Sequence, residues 1–352
     1  MVLLANRVGA IKDFHARTGI ERAELDLSGG IDSAVMACLL VEALGAENVT
    51  LVHSRFATSA AQSQRARDLA EALDCPLVDA SLGGVWEVLL TEMKRALGAA
   101  GYDTGEVNAR IKSDPTILGS IRSCLRAPIG RGFNRLTGGG IRHGTGNECE
   151  DRWLRFYQKG GDGEVDTNPL AMLSKTEVYQ LAFVWGESLG GRAAAVLAAT
   201  IEAAPSPDLW GNGDGHTDEA ELESWLGVPF TYGRIDSKTG AIKSYGTIER
   251  VSRFLDWALK RLLPDALYPK DDNSIWKAPD AFWRSLYAMA PDHRLFRGVP
   301  HNTVVLLLEA ARKAERQTRH KANPNIPSLG DRDLLVAEGI LTNDLNLEDT
   351  SS

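Results

Sequence analysis

The chain is short of the residues that build metal knuckles or disulfide frameworks. Its four cysteines, Cys38, Cys75, Cys124 and Cys149, are scattered with no Cys-x-x-Cys pair, which argues against structural zinc and against a stapled secreted scaffold. No apolar run is long enough to cross a bilayer, and Met1 to Ala5 is too short for a signal sequence, so no membrane partner is expected. There is no excess of positive charge either. The net charge of −8 weighs against a protein built to grip nucleic acid. No Cys/His or Ser/His/Asp arrangement suggests a covalent nucleophile. What is there is ordinary for a cytoplasmic globular protein: 43% hydrophobic and 24% charged residues in 352. That length suits two compact regions, or one α/β domain with a substantial addition.

The informative stretch is Glu24 to Gly45, ELDLSGGIDSAVMACLLVEALG. It reads as a strand over Ala23–Leu27, a tight turn at Ser28, Gly29 and Gly30, and a helix opening near Asp32. Val35, Met36, Leu39, Leu40 and Leu44 recur at helical spacing and Gly45 stops the run. The two glycines let the backbone turn and turn amide N–H groups outward at a helix N-terminus, a ready cradle for phosphate. Ser28 and Ser33 can add hydroxyl donors, and Asp32 is placed to hold a Mg²⁺ riding on the phosphates. The string lacks the Lys of a Walker A loop and the third glycine of a dinucleotide fingerprint.

Further strands are expected at Val49–Ser54 and Cys75–Leu82, with helices over Leu3–Thr18, Gln62–Leu73 and Val85–Leu97. This alternation predicts a doubly wound parallel sheet with the Ser28 turn beyond the carboxyl ends of its strands. His53 ends the second strand on that edge, either near a ligand or as a satisfied interior histidine. Gly98–Ile111 reads as looser chain. Ser113–His143 carries Arg122, Arg126, Arg131, Arg135 and Arg142 among glycines, read either as a solvated basic loop or as an anion-binding segment. Thr247–Leu263, Trp276–Met289 and Val304–Gln317 are amphipathic helices, enough for a small helical region. Asn212 to His216 resembles half a calcium loop, but Trp210 stands where the first ligand is needed, so it reads as a surface turn.

The SGGIDS string resembles the signature of the N-type ATP pyrophosphatases, which cleave ATP between its α and β phosphates. A second stretch, His143 to Ala182, narrows the likeness to the NAD synthetase family: a GTGN turn, a downstream acid, a Lys before Gly-Asp-Gly, Asp before Asn-Pro, and a Lys before Thr. Here these are Thr145, Glu150, Lys159, Asp162, Asp166, Asn168, Pro169 and Lys175. The interval from Glu150 to Lys159 is one residue longer than the family's, so Asp151 stands as an alternative to Glu150 for the metal. A third stretch, Glu202 to Asp236, repeats a family pattern through Pro205, Ser206, Asp208, Leu209, Trp210, Thr217, Asp218, Glu219, Tyr232 and Asp236. His320-Lys321 resembles the family's C-terminal His-Lys.

The resemblance implies an adenine nucleotide alpha hydrolase-like α/β domain over residues 1–240, a helical insertion at 241–317, and a C-terminal site segment at 318–352. It implies ATP and Mg²⁺ as cofactors, held by Ser28, Gly29, Gly30, Asp32, Ser33, Thr145, Lys175 and Ser206, with metal on Asp32 and Glu150. Asp32, Lys159, Lys175 and Asp166 would be catalytic, and Arg126, Lys159, Asp166, His320 and Lys321 would face the acid. Asp166 is expected to orient the pyridine ring or the incoming ammonia.

The reaction implied is that of an ammonia-dependent NAD synthetase: nicotinic acid adenine dinucleotide is adenylated and then amidated, releasing AMP and pyrophosphate. With only residues 1–22 ahead of the first strand, ammonia is expected free or from a partner, and the family implies a homodimer. One departure bears on the acid. Where the family has two arginines two apart, Ser120 to Ala127 reads SIRSCLRA, so Cys124 replaces the first, Arg126 remains and Arg122 is displaced. An amide ligase for another acid is therefore the second reading, and a silent ATP-binding scaffold the third.

Overall fold

The computed structural model describes residues 1–56, 58–114, 116–206, 217–262, 278–321, 328–345 and 347. In chain order these form α1 (Val2–Thr18), β1 (Ala23–Asp26), α2 (Ile31–Leu44), β2 (Val49–Arg55), α3 (Ala60–Ala72) and β3 (Leu77–Ser81). There follow α4 (Gly83–Ala99), α5 (Thr104–Ser113), α6 (Thr116–Leu136), β4 (Ile141–His143), α7 (Glu148–Asp151), α8 (Lys175–Leu189) and α9 (Gly191–Glu202). The chain continues through α10 (Asp218–Leu226), β5 (Arg234–Ile235), β6 (Ile242–Ser244), α11 (Thr247–Leu262), α12 (Asp280–Met289), α13 (His301–Thr318) and α14 (Arg332–Ala337).

The central sheet is parallel throughout, in the order β3-β2-β1-β4. Alternation along β1 sends Leu25 into the main core, packed with α1, α2, α3, α8 and α9, and sends Glu24 and Asp26 to the other face. On that other face lies α6. Arg142, paired in register with Glu24, reaches both Glu24 and Asp26, and its guanidinium fills the space that a side chain at Gly130 of α6 would need. The sheet–α6 interface is therefore ionic where a buried parallel sheet is usually apolar.

Two stretches differ from expectation. Residues 98–111 are not loose throughout: Asp103 caps α5 by accepting from the Gly105 and Glu106 amides at 2.6 and 3.1 Å. The arginine-rich segment is mostly helix, since Leu118, Ile121, Leu125 and Ile129 form one stripe against Trp86, Phe56 and Leu82. Its glycines mask that stripe in the sequence.

The expected C-terminal helices exist as α11, α12 and α13. They share an apolar core with α10 and with Cys149, Trp153 and Leu154 of the second motif. Trp276, Trp210 and the Asn212–His216 turn lie outside the described residues, as do Asp208 and Leu209. Among the described residues no helix is long and apolar enough to cross a membrane.

Candidate active site

The cradle follows from the turn chemistry. Gly29 has φ 85°, a conformation that L side chains rarely adopt, and a Cβ there would overlap the Gln62 carbonyl oxygen. Gly30 caps α2. The Ser28 amide donates to Ser33 Oγ at 3.2 Å, the two hydroxyls are 3.0 Å apart, and the Gly30 amide donates to Ser28 Oγ at 3.2 Å. The turn is thus rigid, and it faces the N-terminus of a buried helix where anions are favoured.

In the first turn of α2, Asp32 meets the second motif. Its Oδ2 accepts from Lys175 Nζ at 2.6 Å, and the same ammonium donates to Glu150 Oε1 at 2.8 Å. Asn147 donates to Asp32 Oδ1 at 2.9 Å while its own Oδ1 accepts from the Cys149 and Glu150 amides, so one side chain caps α7 and ties it to the cradle. The face of Tyr232 lies 5.0 Å from Lys175 Nζ. Burial alone would lower the Lys175 pKa, but Asp32 and Glu150 more than offset it and hold the amine charged, well above the usual range. Burial raises the Glu150 carboxyl, Lys175 pulling the other way.

Two carboxylates converging on one ammonium make a site for a cation. Asp32 and Glu150 are the residues that would hold a divalent ion here. Of the two candidate ligands, Glu150 is the one that stands beside Asp32. Asp151 turns away, its Oδ2 accepting from Asn168 at 2.7 Å, and burial pushes its carboxyl well above the usual range.

Beyond the strand ends a small cleft is lined by Asp26, Leu27, Ser28, Val52, His53, Ser54, Thr58, Gln62 and Arg126. His53 lines it as a satisfied histidine: Nδ1–H donates to the Leu27 carbonyl at 2.7 Å and Nε2 accepts from Ser63 Oγ at 3.1 Å. Ser206 lies at the same edge, its carbonyl 3.4 Å from Gln62 Nε2, and half-buried Thr145 follows β4.

Asp166 is held by Arg131 through two bonds of 2.8 Å and by the Arg142 amide at 2.8 Å. Burial works against it, yet those three donors keep the carboxyl below its usual value. Arg122 stacks over Trp86 at 4.8 Å, and the Cys124 thiol meets the Lys159 carbonyl at 3.8 Å.

Lys159, His320 and Lys321 come together beside α6. Lys159 Nζ donates to the His320 carbonyl at 3.0 Å, Lys321 Nζ to the Tyr157 carbonyl at 2.6 Å, and the Tyr157 hydroxyl to the Lys321 carbonyl at 2.7 Å. Of the two lysines expected at the triphosphate, Lys175 is the one beside Asp32. Sequence reasoning missed Asn147 and Asp26, and it named Arg131 only among the arginines of the Ser113–His143 segment, without its partner Asp166. Asn147 had a readable signal, as the N-cap immediately ahead of an acidic helical turn. The other two are visible only once α6 is folded against the sheet.

Comparison with known proteins gives a consistent result. The profile of the NAD synthase family matches residues 3–243. An NH(3)-dependent NAD(+) synthetase of Methanococcoides burtonii is 37% identical over 235 residues, covering 66% of this chain and 76% of that protein. The corresponding enzyme of Alkaliphilus oremlandii is 29% identical over 249 residues, covering 70% and 88%. Among solved structures, an NMN synthetase from Francisella tularensis superposes with a TM-score of 0.57 at 21% identity, over 92% of this chain and 98% of that one.

Proposed function

Because the chain belongs to the NAD synthase family, we propose that it is an ammonia-dependent NAD synthetase acting on nicotinic acid adenine dinucleotide. The family makes it an ATP-dependent, AMP-forming carbon–nitrogen ligase that uses Mg²⁺. The observation that carries this reading is the convergence of Asp32 and Glu150 on Lys175 at the mouth of the Ser28 cradle.

In this reading the Ser28–Ser33 turn binds the triphosphate, and Asp32 with Glu150 would hold the metal. When bound, the metal neutralises the departing pyrophosphate. The substrate carboxylate oxygen attacks the α-phosphorus, the bond to pyrophosphate breaks, and an acyl-adenylate remains. Ammonia then adds to the acyl carbon, AMP leaves, and a proton is lost to solvent. Lys175 supplies positive charge beside the phosphates, and Arg126 in the cleft holds the acid. Asp166, fixed by Arg131, orients the ring end. Catalysis here is positioning and electrostatics, with no covalent enzyme intermediate.

A homodimer belongs to this reading. It is supported by α4, whose seventeen residues bury only Trp86 while Val85 and Val88 stand exposed. The reaction is assigned to the cytoplasm, where ATP is at hand.

A smaller acid, nicotinic acid mononucleotide, is the second reading. It is favoured by the cleft's arginine complement: Arg122 is committed to Trp86, Cys124 is uncharged, and Arg126 is the member of this stretch that lines the cleft. The test is to mix purified protein with ATP, Mg²⁺, ammonium and each acid in turn, and to assay amide, AMP and pyrophosphate. Equal yields of NAD and AMP from the dinucleotide support the first reading. AMP formed only with the mononucleotide selects the second, and ADP in place of AMP overturns both.

A further inference from the structure

Residues past 243 lie outside the family match, yet α11 reaches the active-site segments from beneath. Glu249 and Arg253 are one helical turn apart on its inner face and are almost fully buried, at 1% and 3% exposure. Glu249 Oε1 accepts from the Thr176 amide at 3.1 Å, in the first turn of α8, directly after Lys175. Its Oε2 accepts from the Gly246 amide at 3.0 Å, which orients the carboxylate. Arg253 Nη1 donates to both oxygens of Glu148, at 2.7 and 2.6 Å, in the short helix that carries Glu150. A single rigid helix face therefore grips the two elements whose side chains meet at Asp32.

We propose that Glu249 and Arg253 are positioning residues for Lys175 and Glu150, so that the C-terminal helical unit sets the spacing of the cation site. Apolar packing alone would explain the burial of α11. It would not explain a buried carboxylate spent on an amide beside Lys175, nor a buried guanidinium spent on the residue two before Glu150. Charged groups are costly to bury, and well-formed charge-assisted bonds fix geometry where contact area does not.

The inference rests on the proposed site, and its test separates the two. In the full chain, Glu249→Gln and Arg253→Lys are compared with the unmutated protein by melting temperature, by calorimetric binding of Mg²⁺·ATP without acid, and by kcat and KM. Positioning predicts a fall in kcat of about tenfold or more and weaker Mg²⁺·ATP binding, with KM for the acid within about twofold. Folded variants with kcat and Mg²⁺·ATP affinity within about twofold of the original overturn it.

Amide exchange on the unmutated protein gives a readout that survives a variant's failure to fold. The Thr176 and Glu150 amides should open together with the amides of α11, and rapid independent exchange at both overturns the proposal. If the unmutated protein releases no AMP with either acid, the functional reading fails, while binding and exchange still decide the positioning.

Discussion

Lys175 Nζ sits 2.6 Å from Asp32 Oδ2 and 2.8 Å from Glu150 Oε1, so a lysine from α8 occupies the point on which two carboxylates from other elements converge. In the proposed reading a divalent ion would compete with Lys175 for that pair of carboxylates, and a bound triphosphate would offer the lysine a new partner. Lys175→Met should lower kcat about a thousandfold. It should also tighten Mg²⁺ binding to the nucleotide-free protein about tenfold, read by calorimetry. Without Mg²⁺ the variant should be destabilised by about 2 kcal/mol, because two half-buried carboxylates lose their buried counter-ion. Added Mg²⁺ should restore more of its melting temperature than it adds to the original protein's.

The two neighbouring acids should separate cleanly. Glu150→Gln removes a carboxylate that faces the Lys175 ammonium and, in the proposed reading, would hold the metal, so AMP formation should fall about a hundredfold or more. Asp151→Asn replaces a carboxyl whose burial already favours the neutral form and whose partner is the amide of Asn168, so activity should stay within about threefold. The reverse order in an AMP-release assay would move the metal to Asp151.

Gly130 is where the ionic interface leaves no room. A methyl there collides with the Arg142 guanidinium and must break its pairing with Glu24 and Asp26. Gly130→Ala should cost about 3 kcal/mol, read as a lower urea midpoint. Gly132→Ala, in the same helix with open space around it, should be neutral or stabilising by up to about 1 kcal/mol.

Glu24 gives the pH dependence a sign. Burial raises its pKa from 4.5 to about 7, with Arg142 opposing. Below about pH 4.5 it is protonated folded and unfolded alike. Between there and about pH 7 the folded protein keeps a proton that the unfolded chain gives up, so stability falls as pH rises, by a total on the order of 3 kcal/mol. Glu24→Gln should flatten urea midpoints across that window. An unchanged slope would place the titration elsewhere.

The parallel sheet and the cradle were legible because both are local. Glycines that must turn, a strand that ends on them, and a helix with apolar residues at its own period are written in adjacent positions. Lys175, Asp166 and Glu150 were singled out by the family resemblance, which left Asp151 as an alternative to Glu150; in the fold Glu150 accepts from the Lys175 ammonium that also meets Asp32, and Asp151 accepts from Asn168.

The arginine-rich stretch was the hardest to read. Its glycines suggest loop, while its apolar stripe is sparse and finds its partner, Trp86, about thirty to forty residues earlier in the chain. Left to itself, the sequence determined a glycine turn at a helix N-terminus, a βα alternation and the set of charged groups available for chemistry. Only the tertiary structure decided which charges meet: Lys175 with Asp32 and Glu150, Arg131 with Asp166, Arg142 with Glu24, and α11 with the helices that carry the site. Ion pairs between distant segments depend on which face each helix turns inward, and that choice is made by packing of the whole chain.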